Sequence, residues 1–331
     1  MNAKTLAVLL AVMGAVSVLY NQTQTETTLT EFQSWKNKYN VKFESMFEEA
    51  YRERIFMENL AKINLHNANE HKSYEMGINQ FTGLTQEEFV EQYLGTIVPT
   101  QTQAVESDEV VALGDVDWTT QGAVTGVKNQ GSCGSCWAFS TTGALEGLSK
   151  IAYGSLQSFS EQQLVDCSGS YGNMACNGGL MDNAFKYVRD KGIVHEDEYP
   201  YKGVKQACSK DGGAFKVSGY TDVNNCNTLT TALTGRPVSV AVDATNWSAY
   251  KSGVFNNCAT KLNHGVLLVG STAQYWRVKN SWAASWGENG YIRLAPGNTC
   301  GLCNQASYPN KWFNHHISFI HTFYQPIEEY N

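Results

Sequence analysis

The sequence predicts an α+β fold in which a helical lobe and a strand-rich lobe pack together behind a helical lead segment. Residues from Cys136 to Ala152 carry apolar side chains at helical spacing, and Gly154 supplies a stop. Val238 to Val242 alternates in the manner of a strand, and residues 264–269 and 275–279 are also strand-like. Helices followed by strands indicate two lobes of different type.

The N-terminus resembles a secretory signal, which we assign to residues 1–20. Lys4 precedes an apolar stretch from Leu6 to about Val16, and polar Asn21 follows. This apolar stretch is shorter than the roughly 20 residues that a membrane-spanning helix needs. The sequence therefore predicts entry into the secretory pathway and no membrane span.

The lead segment, residues 21–113, is mostly helical in pattern and contains no cysteine. Its last part, Thr96 to Leu113, is polar and aperiodic, so we interpret it as an exposed linker. Six residues lie at intervals that keep them on one helix face: Glu48, Arg52, Phe56, Asn59, Ile63 and Asn67. Glu48 and Arg52 are expected to form an i, i+4 ion pair.

Composition favours a folded chain over a disordered one and gives no support for nucleic-acid binding. The chain has 331 residues, of which 42% are hydrophobic, and it can bury a core. Its formal net charge is −7, with the acidic excess in the lead segment. Neither part is basic enough to indicate a nucleic-acid partner.

Nine cysteines in an exported chain predict disulfides and leave at least one cysteine unpaired. Cys133-Gly134-Ser135-Cys136 allows three interpretations. It could bind zinc together with Cys300 and Cys303, act as a redox dithiol, or combine one bonded cysteine with one nucleophile. Cys136 would begin a helix, whose N–H groups and dipole favour a thiolate.

A nucleophilic thiol also needs a positive partner, because at an ordinary pKa only about 0.03% is ionised at pH 5. His264 begins a buried-looking strand and could act as the base, although a core histidine is the simpler interpretation of this residue alone. His195 lies among acidic residues and is expected to be structural.

The remaining roles of acyl transfer also have candidates. Asn280 could hold the imidazole N–H, and Trp282 could keep water from that bond. Gln130 could place an amide donor beside the Cys136 backbone N–H, forming an oxyanion hole.

The stretch NQGSCGSCWAFS, with His264 and Asn280 further along, resembles the papain and cathepsin cysteine peptidases. The resemblance covers about Glu26 to Pro309. It implies a papain-like two-lobed fold. Cys136 would lie on a helical lobe, and His264 and Asn280 would lie on a β-barrel-like lobe across a cleft. It also implies a cysteine endopeptidase domain at residues 114–310, with no cofactor and no metal. A catalytically silent structural or storage protein is the alternative.

The six residues on one helix face match the prosegment motif of the cathepsin L-like subgroup. The resemblance therefore makes the lead segment an inhibitory propeptide that runs backwards through the cleft and is cleaved near Asp108 to Gly114. GINQFTGL resembles a second prosegment motif, but Gly83 stands where aspartate is usual. Our hypothesis is that other carboxylates of the lead segment weaken its attraction to the enzyme domain when protonated.

The resemblance implies three disulfides, Cys133–Cys176, Cys167–Cys208 and Cys258–Cys300. A fourth bond between Cys226 and Cys303 would leave Cys136 free, in agreement with the odd count.

Substrate-binding residues are also implied by the resemblance. Gly178 and Gly179 resemble a backbone rail for an extended peptide. The pocket for the side chain second from the scissile bond would be formed by Leu180, Met181, Ala241, Leu262 and Gln305, and Trp286 is a further substrate-binding residue. Because Gln305 is uncharged, a hydrophobic side chain is expected there rather than arginine.

The expected partners are protein and peptide substrates, the protein's own lead segment, and protein inhibitors of cysteine peptidases. The expected state is a monomer in a lysosome or digestive vacuole, or outside the cell. Residues 311–331 form a tail past the usual family end, and we assign no role to it.

Overall fold

The computed structural model describes residues 30–98, 114–259 and 261–312. The expected signal at residues 1–20, most of the expected cleavage zone and the tail beyond Trp312 lie outside these residues. Within them, no helix is both long enough and apolar enough to cross a bilayer.

The helices begin and end at residues that satisfy their terminal backbone groups. Ser45 caps the second helix by accepting from Glu48 N–H, and Thr85 forms a reciprocal capping box with Glu88. Gly154 ends the fourth helix at φ 79°, a conformation that suits glycine. The helices are α1 (residues 30–39), α2 (Met46–Asn67), α3 (Gln86–Tyr93), α4 (Cys136–Tyr153), α5 (Glu161–Cys167), α6 (Met181–Asp190) and α7 (Cys226–Gly235).

Within the described residues, nine strands, numbered β1 to β9 along the chain, form one sheet in the order β1-β5-β8-β7-β6-β4-β9-β3, with β2 paired to β6. The pairing of β5 with β8 is parallel, and the other pairs are antiparallel. The strands are β1 (Tyr74–Met76), β2 (Val116–Asp117), β3 (Val217–Val223), β4 (Val238–Val242), β5 (Tyr250–Phe255), β6 (His264–Thr272), β7 (Tyr275–Lys279), β8 (Tyr291–Leu294) and β9 (Ala306–Lys311).

Three buried clusters hold the structure together. The strand-rich lobe buries five tryptophans among its aliphatic side chains: Trp118, Trp247, Trp276, Trp282 and Trp286. The helical lobe packs α4, α5 and α6 around Trp137, Leu145 and Phe185, and it extends to Leu267 of β6. A small aromatic cluster in the lead segment contains Phe32, Trp35 and Phe56. The α+β architecture and the two lobes agree with the prediction.

The lead segment is attached to the other lobes by backbone pairing and neutral hydrogen bonds. Its strand β1 extends the sheet by pairing with β5, with Tyr74 opposite Gly253. Asn79 Nδ2 donates to Ser248 O at 2.6 Å, and Gln80 Nε2 donates to Trp282 O at 2.8 Å. Among the described residues, no ion pair joins the lead segment to residues 114–312. Our hypothesis supposed a charge attraction between the lead segment and the enzyme domain, and no ion pair between described residues supports it.

Two expectations about the lead segment were wrong. Arg52 pairs with Glu88 of α3 at 2.6 Å rather than with Glu48, because α3 folds back against α2. The start of the expected linker is not exposed, since Thr96 retains only 7% of its accessible surface. Thr96 instead forms a parallel bridge with Gly179.

Candidate active site

Cys136 is the first residue of α4 and the only cysteine with a free thiol. Its side chain is fully buried between the lobes. The other eight cysteines form disulfides: Cys133–Cys176, Cys167–Cys208 and Cys258–Cys300, as the resemblance implied, and Cys226–Cys303, the fourth bond that agrees with the odd count. Cys133 is therefore bonded away from Cys136, which does not fit a redox dithiol. Cys300 and Cys303 are likewise unavailable as zinc ligands.

Several contacts act on the Cys136 sulfur. Burial raises the pKa of the thiol, but the charge and hydrogen bonding of the His264 ring outweigh it. The Gly265 N–H and the Thr96 hydroxyl lie 3.4 Å from the sulfur and lower the pKa further. The resulting pKa is about 7, below the ordinary value of 9.0. The sulfur thus has a larger thiolate fraction than an ordinary cysteine.

His264 is held as the first residue of β6, where it lies opposite Val242 of β4. Its Nε2 lies 2.8 Å from Asn280 Oδ1, so that nitrogen donates to the amide oxygen. Trp282 stacks on the ring at 4.6 Å between centroids. Nδ1 has no nitrogen or oxygen partner in the described part of the chain and is left for the sulfur. The hydrogen bond to Asn280 and the stacked indole of Trp282 hold the ring in one orientation, and the ring is fully buried.

Gln130 is fixed by contacts with both lobes. Its backbone N–H donates to Ser281 O at 2.8 Å, and its Oε1 accepts from Ser281 Oγ at 2.6 Å. Its Nε2 donates to Cys133 O at 2.9 Å and to Tyr93 O of the lead segment at 3.0 Å. The amide expected to stabilise an oxyanion therefore holds a carbonyl of the lead segment.

The lead segment lies along the groove beside Cys136. Gly179 N–H donates to Gly95 O, and Ile97 N–H donates to Gly179 O, both at 2.9 Å. Thr96 N–H donates to Asn263 O on the opposite lobe at 3.0 Å. Gly178 has φ 113° and allows this approach, since a β-carbon there would lie 2.7 Å from Gly95 O. The predicted rail residues thus already carry a peptide in extended pairing.

Most of the predicted pocket residues lie together. Met181 and Ala241 belong to the same buried cluster, Leu262 packs against it, and Val98 of the lead segment packs there too. Leu180 is 9% exposed. The Gln305 backbone oxygen accepts from Ala241 N–H at 2.8 Å, which places this residue beside the cluster.

Trp286 and His195 lie elsewhere. Trp286 is fully buried in the strand-rich lobe, where it packs on Trp282 and donates to Ser248 O at 3.3 Å. The described contacts do not bring it to the predicted pocket. His195 packs on Phe159 and bridges to it, and no hydrogen bond or ring contact between described residues joins it to Cys136.

Sequence reasoning missed Asp182 and Thr96. Asp182 is 7% exposed and accepts from Gln305 Nε2 at 3.1 Å and from Ser307 Oγ at 2.6 Å. A carboxylate therefore lies behind the uncharged Gln305. Asp182 follows Met181 directly in the sequence, and this adjacency is the signal that could have found it.

Comparisons with known proteins agree with this geometry. Residues 114–310 match the model of the papain family cysteine protease, and residues 32–89 match the cathepsin propeptide inhibitor domain (I29). Cathepsin L 2 of Paramecium tetraurelia is 44% identical over 309 residues, covering 90% of this chain and 98% of that protein. Cathepsin L1 of Drosophila melanogaster is 40% identical over 336 residues, covering 92% and 91%.

Solved structures show the same likeness. The digestive procathepsin L 3 of Tenebrio molitor larval midgut superposes with a TM-score of 0.76 at 40% identity, covering 86% of this chain and 99% of that chain. The recombinant stem bromelain precursor gives a TM-score of 0.78 at 38% identity, with the same coverage of 86% and 99%. The chain therefore belongs to the papain family of cysteine peptidases, as a cathepsin L-like cysteine endopeptidase made as a precursor with a propeptide inhibitor domain.

Proposed function

We propose that Cys136 is the nucleophile of this peptidase, that His264 transfers the proton, and that Asn280 orients the imidazole. The observation that carries this proposal is the free thiol whose pKa is lowered to about 7 beside a histidine held by Asn280. Gln130 Nε2 and the Cys136 backbone N–H would bind the developing oxyanion.

The proposed reaction proceeds through an acyl-enzyme. The Cys136 thiolate attacks the peptide carbonyl carbon, forming a C–S bond while negative charge moves to the oxygen. The C–N bond then breaks as His264 gives its Nδ1 proton to the departing amine. Water attacks the thioester, its proton passes to His264, and the C–S bond breaks to restore the thiolate and release the acid.

In the precursor, the lead segment prevents this reaction by occupying the groove. Tyr93 O accepts a hydrogen bond from Gln130 Nε2, and the Thr96 hydroxyl lies 3.4 Å from the Cys136 sulfur. Thr96 pairs with Gly179 in parallel, and the proposal that the segment runs opposite to a substrate rests on the resemblance. Its removal would free both the Gln130 donor and the rail.

We also propose that the pocket beside Met181 and Ala241 prefers a hydrophobic side chain second from the scissile bond. Val98 of the lead segment already packs on this cluster. The Gln305 amide is engaged by Asp182, so no free carboxylate is offered to a guanidinium. We expect kcat/KM for a Leu or Phe substrate to exceed that of the Arg counterpart at least about tenfold. Equal values would contradict the preference.

The proposed roles are tested by substitution in the full precursor, followed by processing. Cys136→Ser should abolish peptide hydrolysis and labelling by an epoxide thiol inhibitor. Gln130→Ala should lower kcat by about 100-fold with little change in KM. Retained hydrolysis in the Cys136→Ser enzyme would overturn the assignment, and an unlabelled, inactive wild-type enzyme would favour the silent structural protein.

The proposed processing removes a signal at residues 1–20 and the propeptide at 21–113, leaving the peptidase domain at 114–310 and the tail at 311–331. The family relatives support the secretory pathway, with a lysosome, vacuole or the exterior as destination. We propose a monomer that meets protein substrates and protein inhibitors there. N-terminal sequencing of the processed enzyme tests the boundary, and a start far from residue 114 would contradict it.

A further inference from the structure

Tyr201 contacts two residues that flank the nucleophile, although nothing in the motifs draws attention to it. Its hydroxyl donates to Gln130 O at 2.8 Å and lies 2.6 Å from Ser135 Oγ. Its ring meets Phe139, on the first turn of α4, edge-on at 4.9 Å. Burial raises the pKa of Tyr201, so the hydroxyl keeps its proton. One phenol is therefore bonded to both segments that carry the proposed oxyanion donors.

The hydrogen bonds have an assignable direction. The phenol has one proton, which it gives to the Gln130 carbonyl, so Ser135 Oγ donates to the phenol oxygen. Both distances are those of good O–H···O bonds.

The Tyr201 hydroxyl thus forms a bridge between Gln130 and Ser135. These two residues differ in their other contacts. Gln130 is tied on its other side by two bonds to Ser281 of the strand-rich lobe. Ser135 precedes the Cys136 N–H and makes no side-chain capping bond to its helix. The contact with Tyr201 is the shortest side-chain contact of Ser135 among the described residues, since Cys133 O lies 3.5 Å from Oγ and would need the same proton.

We propose that Tyr201 is a positioning residue of the oxyanion site, which fixes Gln130 and the start of α4 relative to each other. The proposal rests on the proposed roles of Gln130 and Cys136. Its chemical basis is that an oxyanion must be met by both donors at about 2.7–3.1 Å, so a small shift of either weakens transition-state binding. Substrate binding along Gly178 and Gly179 does not involve the bridge.

The test uses Tyr201→Phe in the processed enzyme, with active sites counted by epoxide labelling. We expect kcat for a peptide amide to fall about tenfold while KM stays within about twofold. The inhibition constant of a peptide aldehyde, whose adduct places an oxyanion in the site, should rise by a similar factor. The rate of Cys136 alkylation by iodoacetamide against pH should not change, because that reaction develops no oxyanion.

Tyr199→Phe is the matched control. It removes a buried hydroxyl in the same segment that donates to Asp166 and makes no described contact with Gln130 or Ser135. The aldehyde inhibition constant of Tyr199→Phe, taken relative to its iodoacetamide alkylation rate, should equal that of the wild type. Should Tyr201→Phe fail to fold, Ser135→Ala removes the other end of the bridge and should raise the aldehyde constant in the same sense.

Three results would overturn the inference. These are an unchanged kcat and aldehyde constant, an alkylation rate that falls in parallel with kcat, and an equal effect of the Tyr199 control. In each case Cys136→Ser and Gln130→Ala still report on the proposed function separately. Inactivity of both with a normal Tyr201→Phe enzyme would refute the positioning role alone.

Discussion

Gly95 of the lead segment lies directly against Gly134, two residues before Cys136. A β-carbon at position 95 would lie 2.0 Å from the Gly134 carbonyl oxygen, which is backbone and has little freedom to move. The approach holds Tyr93 O on Gln130 and the Thr96 hydroxyl on the sulfur. Only glycine at position 95 allows the inhibitory segment to lie this deep.

We expect Gly95→Ala to loosen inhibition without altering the processed enzyme, which would no longer contain this residue. Loss of two hydrogen bonds of about 1 kcal/mol each should raise the rate of Cys136 alkylation in the intact precursor by about tenfold or more. Mass spectrometry of the uncleaved protein at pH 7 measures that rate. Gly126→Ala, where a β-carbon meets nothing within 4 Å, is the control. Equal rates for the two variants would show that the close approach is not what excludes the reagent.

The His264 ring is expected to control ionisation of the thiol. Burial alone raises the pKa of Cys136, and the ring is the largest influence that lowers it, to about 7 from 9.0. In the processed enzyme, His264→Ala should reduce the thiolate fraction at pH 6 by at least about tenfold, because the largest influence that lowers the pKa of Cys136 is lost. The pH dependence of iodoacetamide alkylation measures this, with His195→Ala as a control. An unchanged midpoint in His264→Ala would rule out the ion pair.

The Arg52–Glu88 pair joins α2 to α3 and should make the lead segment sensitive to acid. The hydrogen bond from Arg52 lowers the pKa of Glu88, and Thr85 N–H adds to this effect at 2.9 Å. A lowered pKa gives stabilisation that is fully present above about pH 4.5, the ordinary pKa of glutamate. It is lost as the pH falls through the pKa of Glu88 in the folded protein.

Glu88→Gln should therefore weaken the lead segment at neutral pH and flatten the loss of stability below about pH 4.5. The measurement is precursor melting between pH 3 and 7, compared with Glu58→Gln, whose pair with Arg54 is largely exposed. If Glu88→Gln melts with the same pH profile as the wild type, acid sensitivity resides in other groups.

The proposed catalytic residues could be identified from the sequence because each lies in a local pattern. Cys136 starts a helix, His264 starts an apolar strand, and Asn280 precedes a tryptophan. The helix-face prediction also located Arg52 correctly but not its partner. Glu88 is 36 residues away from Arg52, whereas the i, i+4 spacing favours Glu48. Propensity describes neighbours on one helix, whereas tertiary packing selected a carboxylate on another.

The glycine that replaces the usual aspartate at position 83 has a packing explanation. A β-carbon on Gly83 would lie 2.4 Å from the Trp35 ring, which packs over it. The motif GINQFTGL alone does not indicate this contact between Gly83 and Trp35 of α1. Likewise, β4 alternates in sequence as a half-buried strand does, yet all its residues are buried. Ser239 is satisfied by donating to Ser140 O of α4 at 2.8 Å, because the helical lobe covers that face.

Asp182 should make the enzyme domain more stable in acid than at neutral pH. Burial raises the pKa of its carboxyl to about 6, against the opposing donors Ser307 and Gln305 and the charge of Lys186, with Asp222 adding to the rise. A raised pKa means that the folded state binds the proton more tightly than the unfolded chain. The resulting stabilisation is fully present below about pH 3.8, the ordinary pKa, and is lost as the pH rises through about 6.

Asp182→Asn removes this titration while keeping a side chain of similar shape. Relative to the variant, the wild type should lose up to about 3 kcal/mol of unfolding free energy between pH 4 and 7. Thermal melting of the processed enzyme across that range measures the difference, and the exposed Asp197→Asn serves as the control. A wild-type profile parallel to that of Asp182→Asn would mean that the buried carboxyl stays ionised, which would require a cationic partner stronger than Lys186.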